Sequence, residues 1–150
     1  MASDHRAIFE RLADVMNRQA WDAFGTVFTD DYVEEYPQSG EIIRGLPNAV
    51  AVRRDYPGGF VEGGIDTSSA RLPASGDHWA VTSIFTVVQL EGSGDTATVI
   101  FKVRYPDDST WWLTAVYELR GDKIARATIL FAATFDPPEW RKPYREPLGQ

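Results

Sequence analysis

Hydrophobic positions in the first part of the chain recur at helical spacing. Ile8, Phe9, Leu12, Val15 and Met16 fall at i, i+1, i+4, i+7 and i+8, which predicts one amphipathic helix with Ser3 or Asp4 able to cap its start. Trp21, Phe24 and Phe28 share one face of a second, short helix, and Asp30-Asp31 breaks that pattern. From Val33 the chain reads as extended: residues 33–37 and 41–44 flank Gln38-Ser39-Gly40, a hairpin turn. Gly45-Leu46-Pro47 opens a third helix, with proline in the first turn where its missing N–H costs nothing. That helix runs through Val50 and Arg53 and stops at Pro57-Gly58-Gly59.

The second half has a period of two. Residues 58–77 are rich in Gly, Ser and Pro and read as a loop with at most one irregular strand near residues 65–71. Strands are predicted over residues 79–90, 96–105, 110–120 and 123–135, joined by turns at 91–95, 106–109 and Gly121-Asp122. Residues two apart share a face of a strand. Val99, Phe101, Val103 and Tyr105 therefore lie together, as do Trp111, Leu113, Ala115, Tyr117 and Leu119, and Ala127, Ile129, Phe131 and Ala133. Helices followed by a run of antiparallel strands define an α+β class, a curved antiparallel sheet wrapped around N-terminal helices, in one domain over residues 1–150. The prolines of the tail after Asp136 exclude a central strand, and Trp140 and Tyr144 suggest that it packs on the body.

Composition narrows the function classes. The 22 acidic and 15 basic residues give a net charge of −7, and without a Lys/Arg cluster nucleic acid is not an expected partner. Zero cysteines exclude disulfides and a cysteine nucleophile, and two histidines are too few for a histidine-rich metal site. There is no phosphate-cradling glycine loop, no Walker loop, no nucleophile elbow and no His-Glu-x-x-His, so neither a nucleotide cofactor nor a metal is expected. No apolar run is long enough to span a membrane and no signal core precedes the first helix, so the expected compartment is the cytoplasm.

The order helix, helix, Phe28-Thr-Asp-Asp-Tyr-Val, hairpin, Ile43-Arg-Gly, helix and meander resembles the NTF2-like superfamily, and within it the SnoaL-like proteins of actinobacteria. The match covers nearly the whole chain and is clearest in residues 8–54 and 110–135. The resemblance implies a cone whose open end leads to an apolar pocket, and dimers formed through the opposite sheet face. It implies a cavity wall of Leu12, Val15, Phe28, Val103, Tyr105, Trp111, Ile129 and Phe131, without a cofactor, for a hydrophobic small molecule. Superfamily members also catalyse isomerisation, cyclisation, dehydration and hydrolysis, so the fold does not select a reaction. By that resemblance, this chain carries Tyr36, Leu12 and Ala115 where ketosteroid-isomerase-like members keep a base and two donors, and Ile129 near a carboxylate of the epoxide-hydrolase-like members. Those reactions are therefore disfavoured.

The remaining proton-exchanging candidates are Glu34, Tyr36 and Tyr117. Glu34 and Tyr36 share a face that the family register points inward, where Glu34 would move a proton while Tyr36 or Tyr117 donates to a substrate oxygen. The plainer alternative makes Glu34-Glu35 a solvated edge and Tyr36 a core aromatic. A slip of one residue would exchange Glu34 for Glu35. Arg53 and Arg54 either clamp a substrate carboxylate or answer the dipole at a helix C-terminus. His78 is either a proton shuttle or a surface residue. Trp111 is assigned to the pocket and Trp112 to a buried interface, with core packing as the alternative for both. Two functions follow: a cofactor-free enzyme on a hydrophobic substrate, or a non-catalytic ligand-binding or protein-interaction module. A homodimer is expected through the face carrying Ile100, Trp112, Thr114, Val116, Thr128 and Leu130.

Overall fold

The computed structural model describes residues 5–57, 85–104 and 109–148. The expected loop at 58–77, His78, the start of the strand predicted from Trp79 and Tyr105 lie outside the described residues. Helix α1 (His5–Asn17) buries the predicted stripe of Ile8, Phe9, Leu12, Val15 and Met16, together with Ala13. A short 3-10 helix (Trp21–Thr26) follows. Strand β1 (Phe28–Tyr36) and strand β2 (Glu41–Arg44) form the predicted hairpin. Helix α2 (Leu46–Arg54) carries its proline in the first turn. Strands β3 (Phe85–Ser93), β4 (Thr96–Arg104), β5 (Thr110–Arg120) and β6 (Lys123–Ala133) complete the sheet, in the order β2-β1-β6-β5-β4-β3.

The fold is the expected α+β cone, a curved sheet that does not close, with its core between the sheet and the helices. The strands of the β3–β6 meander are antiparallel, but β1 joins β6 in parallel, so the sheet is mixed. Alternation places Val99, Phe101, Val103, Leu113, Ala115, Tyr117, Ala127 and Ile129 on the buried face, as predicted. A register shift between Glu118 and Leu119 brings Leu119 opposite Ile124 and buries both. Such a shift bends the strand and increases its twist.

Three local readings are corrected. Phe28 opens β1 rather than closing a helix: the Trp21, Phe24 and Phe28 spacing imitates a helical face, but one turn of 3-10 geometry hands the chain to a strand. Asp30 and Asp31 lie within that strand on exposed positions. The turn between β3 and β4 shrinks to Gly94-Asp95, with Gly94 at φ +60°, so Gly92 belongs to the strand. Finally, the tail does not pack on the body: Trp140 and Tyr144 are 70% and 86% exposed. A 3-10 helix (Glu139–Tyr144) gives it local order without burying a residue.

Gly92 is needed for space, since a β-carbon there would lie 2.3 Å from the carbonyl oxygen of Thr96. Gly92→Ala is expected to cost about 1–3 kcal/mol, the usual range for overpacking. The urea unfolding midpoint would fall accordingly, and an unchanged midpoint would contradict the close approach.

Candidate functional site

The site begins with the parity of β1. Glu34 pairs with Ala127 of β6, an inward position, so Tyr32, Glu34 and Tyr36 share the inner face. Glu35 pairs in register with Thr128 and bonds Arg126 on the other side, which settles the choice between the two glutamates. Glu34 is 0% exposed and is not a solvated edge residue.

A carboxylate so deeply buried requires strong partners. Tyr32 Oη donates to Glu34 Oε2 and Tyr36 Oη donates to Oε1, both at 2.9 Å. Arg53 closes a bidentate pair, Nη2 to Oε2 at 2.8 Å and Nη1 to Oε1 at 3.1 Å. Four donors thus meet the two carboxylate oxygens, the arrangement that lets a buried ion pair offset its desolvation. Helix α2 delivers Arg53 because its start is tied to β1, Gly45 N–H donating to the Tyr32 carbonyl at 2.7 Å. Gly45 itself adopts φ +86°, a conformation that favours glycine. Arg53 also donates from Nη1 to the Ala49 carbonyl and stacks over Phe24. Of its five N–H groups, one on Nη2 and the Nε–H have no acceptor among the described residues. Arg53 is therefore chiefly the partner of Glu34, a role absent from both sequence-based alternatives.

Beside this network lies a cavity of about 550 Å³. Its wall comprises Leu12, Met16, Phe28, Tyr32, Tyr36, Ile43, Arg53, Tyr56, Val103, Trp111, Leu113, Tyr117, Ile129 and Phe131, with Gln38, Ser39, Glu41 and Val52 at exposed positions. The expected wall residues Leu12, Phe28, Val103, Trp111, Tyr117, Ile129 and Phe131 are thus brought together. Val15 is not among them: it is buried in the core, turned away from the cavity. Glu34 does not line the cavity either; it lies behind Tyr32, Tyr36 and Arg53, which do. Sequence reasoning missed Tyr32, although its position two residues before Glu34 in a strand was a sufficient signal.

Tyr117 is a further polar group of the wall. Phe9 packs on its ring at 5.0 Å and Phe101 meets it edge-on at 6.2 Å. The residue is 4% exposed, yet its hydroxyl has no hydrogen-bond partner among the described residues. Burial pushes its pKa far above the ordinary tyrosine value; Arg53 opposes that shift, and Glu34 and Tyr36 add to it. Tyr32 is raised likewise, by burial first and then by the Glu34 charge. Both phenols therefore stay protonated near neutrality. The hairpin that rims the cavity is fastened by Gln38, whose amide group donates to the Phe131 carbonyl and accepts from the Phe131 N–H. Tyr36 stacks on Phe131 at 5.7 Å. No group of metal-ligating side chains occurs among the described residues.

A cone of this topology around an apolar cavity defines an NTF2-like fold, and the comparisons agree. The chain belongs to the SnoaL-like domain family, whose model matches residues 9–127. A solved NTF-2 like protein of unknown function from Burkholderia xenovorans LB400 is similar at 23% identity and TM-score 0.72, covering 96% of this chain and 94% of that one. A putative ketosteroid isomerase from Kribbella flavida is similar at 21% identity and TM-score 0.68, with 97% and 90% covered. An epoxide hydrolase of the LEH-like type from M. tuberculosis is similar at 14% identity and TM-score 0.59, with 85% and 81% covered. Identities this low establish the shared fold alone. No match to a curated protein was found.

The two raised phenols make stability depend on alkaline pH. Their folded pKa values lie above the unfolded value of about 10, so above that pH the unfolded chain releases protons that the folded chain retains. Their contribution is complete below about pH 10 and declines as pH rises, by up to about 1.4 kcal/mol per pH unit for each phenol. Urea unfolding between about pH 8 and 11 is expected to show this decline, with a shallower slope in Tyr117→Phe. Equal slopes in the two proteins would contradict the buried, protonated Tyr117.

Proposed function

We propose that the protein binds a small, largely apolar molecule that carries a hydrogen-bond-accepting oxygen. That oxygen lies against Tyr117 Oη and the remaining N–H groups of Arg53. The observation that carries this reading is Tyr117, a 4%-exposed residue on the cavity wall whose hydroxyl makes no hydrogen bond to the described residues. A phenol on a largely apolar cavity wall, without a protein acceptor, is complemented by a ligand oxygen. The surrounding aliphatic and aromatic wall supplies affinity at about 25 cal/mol per Å² of apolar surface buried.

The geometry favours binding over proton transfer by Glu34. Both of its oxygens are held by phenols and a guanidinium, and the cavity wall stands between it and a ligand. We assign Glu34 to positioning Arg53, Tyr32 and Tyr36. If the site turns over a substrate as a cofactor-free isomerase, cyclase, dehydratase or hydrolase, Tyr117 is the group that polarises the reacting oxygen, and Tyr36 orders the wall beside it. The putative isomerase and the epoxide hydrolase of similar fold make small-molecule chemistry compatible with this scaffold.

Acetylnaphthalene and ethylnaphthalene, which differ at one carbonyl, test the reading by calorimetric titration. Wild type is expected to bind the ketone about tenfold more tightly, from hydrogen bonds worth roughly 1–3 kcal/mol. Tyr117→Phe should remove most of that preference and leave ethylnaphthalene binding unchanged. Equal affinity for both compounds in wild type would reject the proposed oxygen site.

We further propose that the protein forms a homodimer through its outer sheet face. Trp112, Val116 and Leu130 lie side by side there on β5 and β6 at 36–45% exposure, with Lys102 over the Trp112 ring. A contiguous apolar patch is seldom left in water. Light scattering at micromolar concentration is expected to give twice the 16.8 kDa chain mass, with Trp112→Glu restoring the single-chain value. A monomer in wild type would refute the interface.

A further inference from the structure

We propose that Glu34 is a specificity-determining residue: by compensating Arg53, it makes the polar end of the cavity accept neutral oxygen groups and reject carboxylates. This rests on the binding reading above and adds the charge class of the ligand. An arginine on an apolar wall would ordinarily recruit a carboxylate through two parallel hydrogen bonds. Here that geometry is already occupied from behind, because Glu34 takes both Nη groups at 2.8 and 3.1 Å and is itself 0% exposed. Among the described residues Arg53 is the sole cationic side chain on the wall, and the other ionisable groups there are four tyrosines and Glu41 at an exposed position. A bound carboxylate would therefore leave two buried anions sharing one guanidinium, a like-charge arrangement that burial makes costly. A carbonyl or hydroxyl brings no charge and still accepts from Tyr117 Oη and from an Arg53 N–H.

The test compares acetylnaphthalene with naphthoate at about pH 8, where the acid is ionised. Wild type is expected to bind the ketone at least about tenfold more tightly. In Glu34→Gln, a nearly isosteric change that leaves the Arg53 charge uncompensated, naphthoate should gain about tenfold while the ketone changes by less than about threefold. Circular dichroism of the variant verifies its fold, and the wild-type comparison decides the charge preference even if the variant fails to fold. Tighter binding of naphthoate than of the ketone by wild type overturns this inference and leaves the oxygen site intact. So does a gain of naphthoate affinity in Glu41→Gln as large as that in Glu34→Gln, which would move the charge control to the rim. Binding of neither probe overturns both readings together.

Discussion

One buried ion pair organises the functional half of this molecule. Glu34 is fully enclosed, and its charge is tolerable there because Arg53, Tyr32 and Tyr36 surround it with donors. The pair joins β1 to α2, fixes the strand's parity and directs two phenols and a guanidinium to one region of the cavity wall. Buried ion pairs are a poor source of net stability compared with apolar packing, yet breaking one by removing a partner typically costs about 3–5 kcal/mol. The interaction is therefore better understood as a constraint on geometry than as a contribution to stability. It ties the inner face of β1 to the helix, since a one-residue slip would turn Tyr32, Glu34 and Tyr36 outward together and remove both phenol donors from the pair.

The cavity follows from that constraint and from the curvature of the sheet. Strand alternation provides an apolar inner face; the register shifts in the β1–β6, β3–β4 and β5–β6 pairs bend the sheet away from flatness. Helix α1 packs Phe9, Leu12 and Val15 into the core between sheet and helices. Space is left where β1, α2 and the hairpin cover the rest. Among the described residues the polar groups on the wall are few against a mostly apolar lining, the usual composition of a small-molecule pocket.

Much of this was legible in the chain. The α1 stripe and the alternation of β4, β5 and β6 identify the core face, because both periods are imposed by covalent geometry. The cavity wall followed largely from the same alternation once a cone was assumed. Phe28 misled because aromatic residues at positions 21, 24 and 28 satisfy a helical spacing by coincidence. Val15 misled because an inward helical residue can face the core or the cavity, and periodicity does not distinguish them. The environment of Glu34 was least legible. Its partner lies 19 residues away on a helix, a separation with no local pattern, so the residues around Glu34-Glu35 read more readily as a solvated edge. The tail's aromatics could be counted but their surroundings could not, since prolines remove backbone donors without dictating where the chain goes.

The parallel pairing of β1 with β6 has a consequence for how the chain reaches this state. Gln38 and Phe131, bonded across that seam, are 93 residues apart, whereas Glu34 and Arg53 are separated by 19. Loop closure becomes harder with length, and parallel pairing between distant strands is slow for the same reason. During synthesis β1, β2 and α2 emerge early, so the carboxylate and guanidinium can meet while the neighbouring strand does not yet exist. Until the ribosome has delivered β6, the inner edge of β1 has no backbone partner from the sheet's other half. The early charge pair thus acts as a local clasp for a hairpin waiting on the last strand of its own sheet.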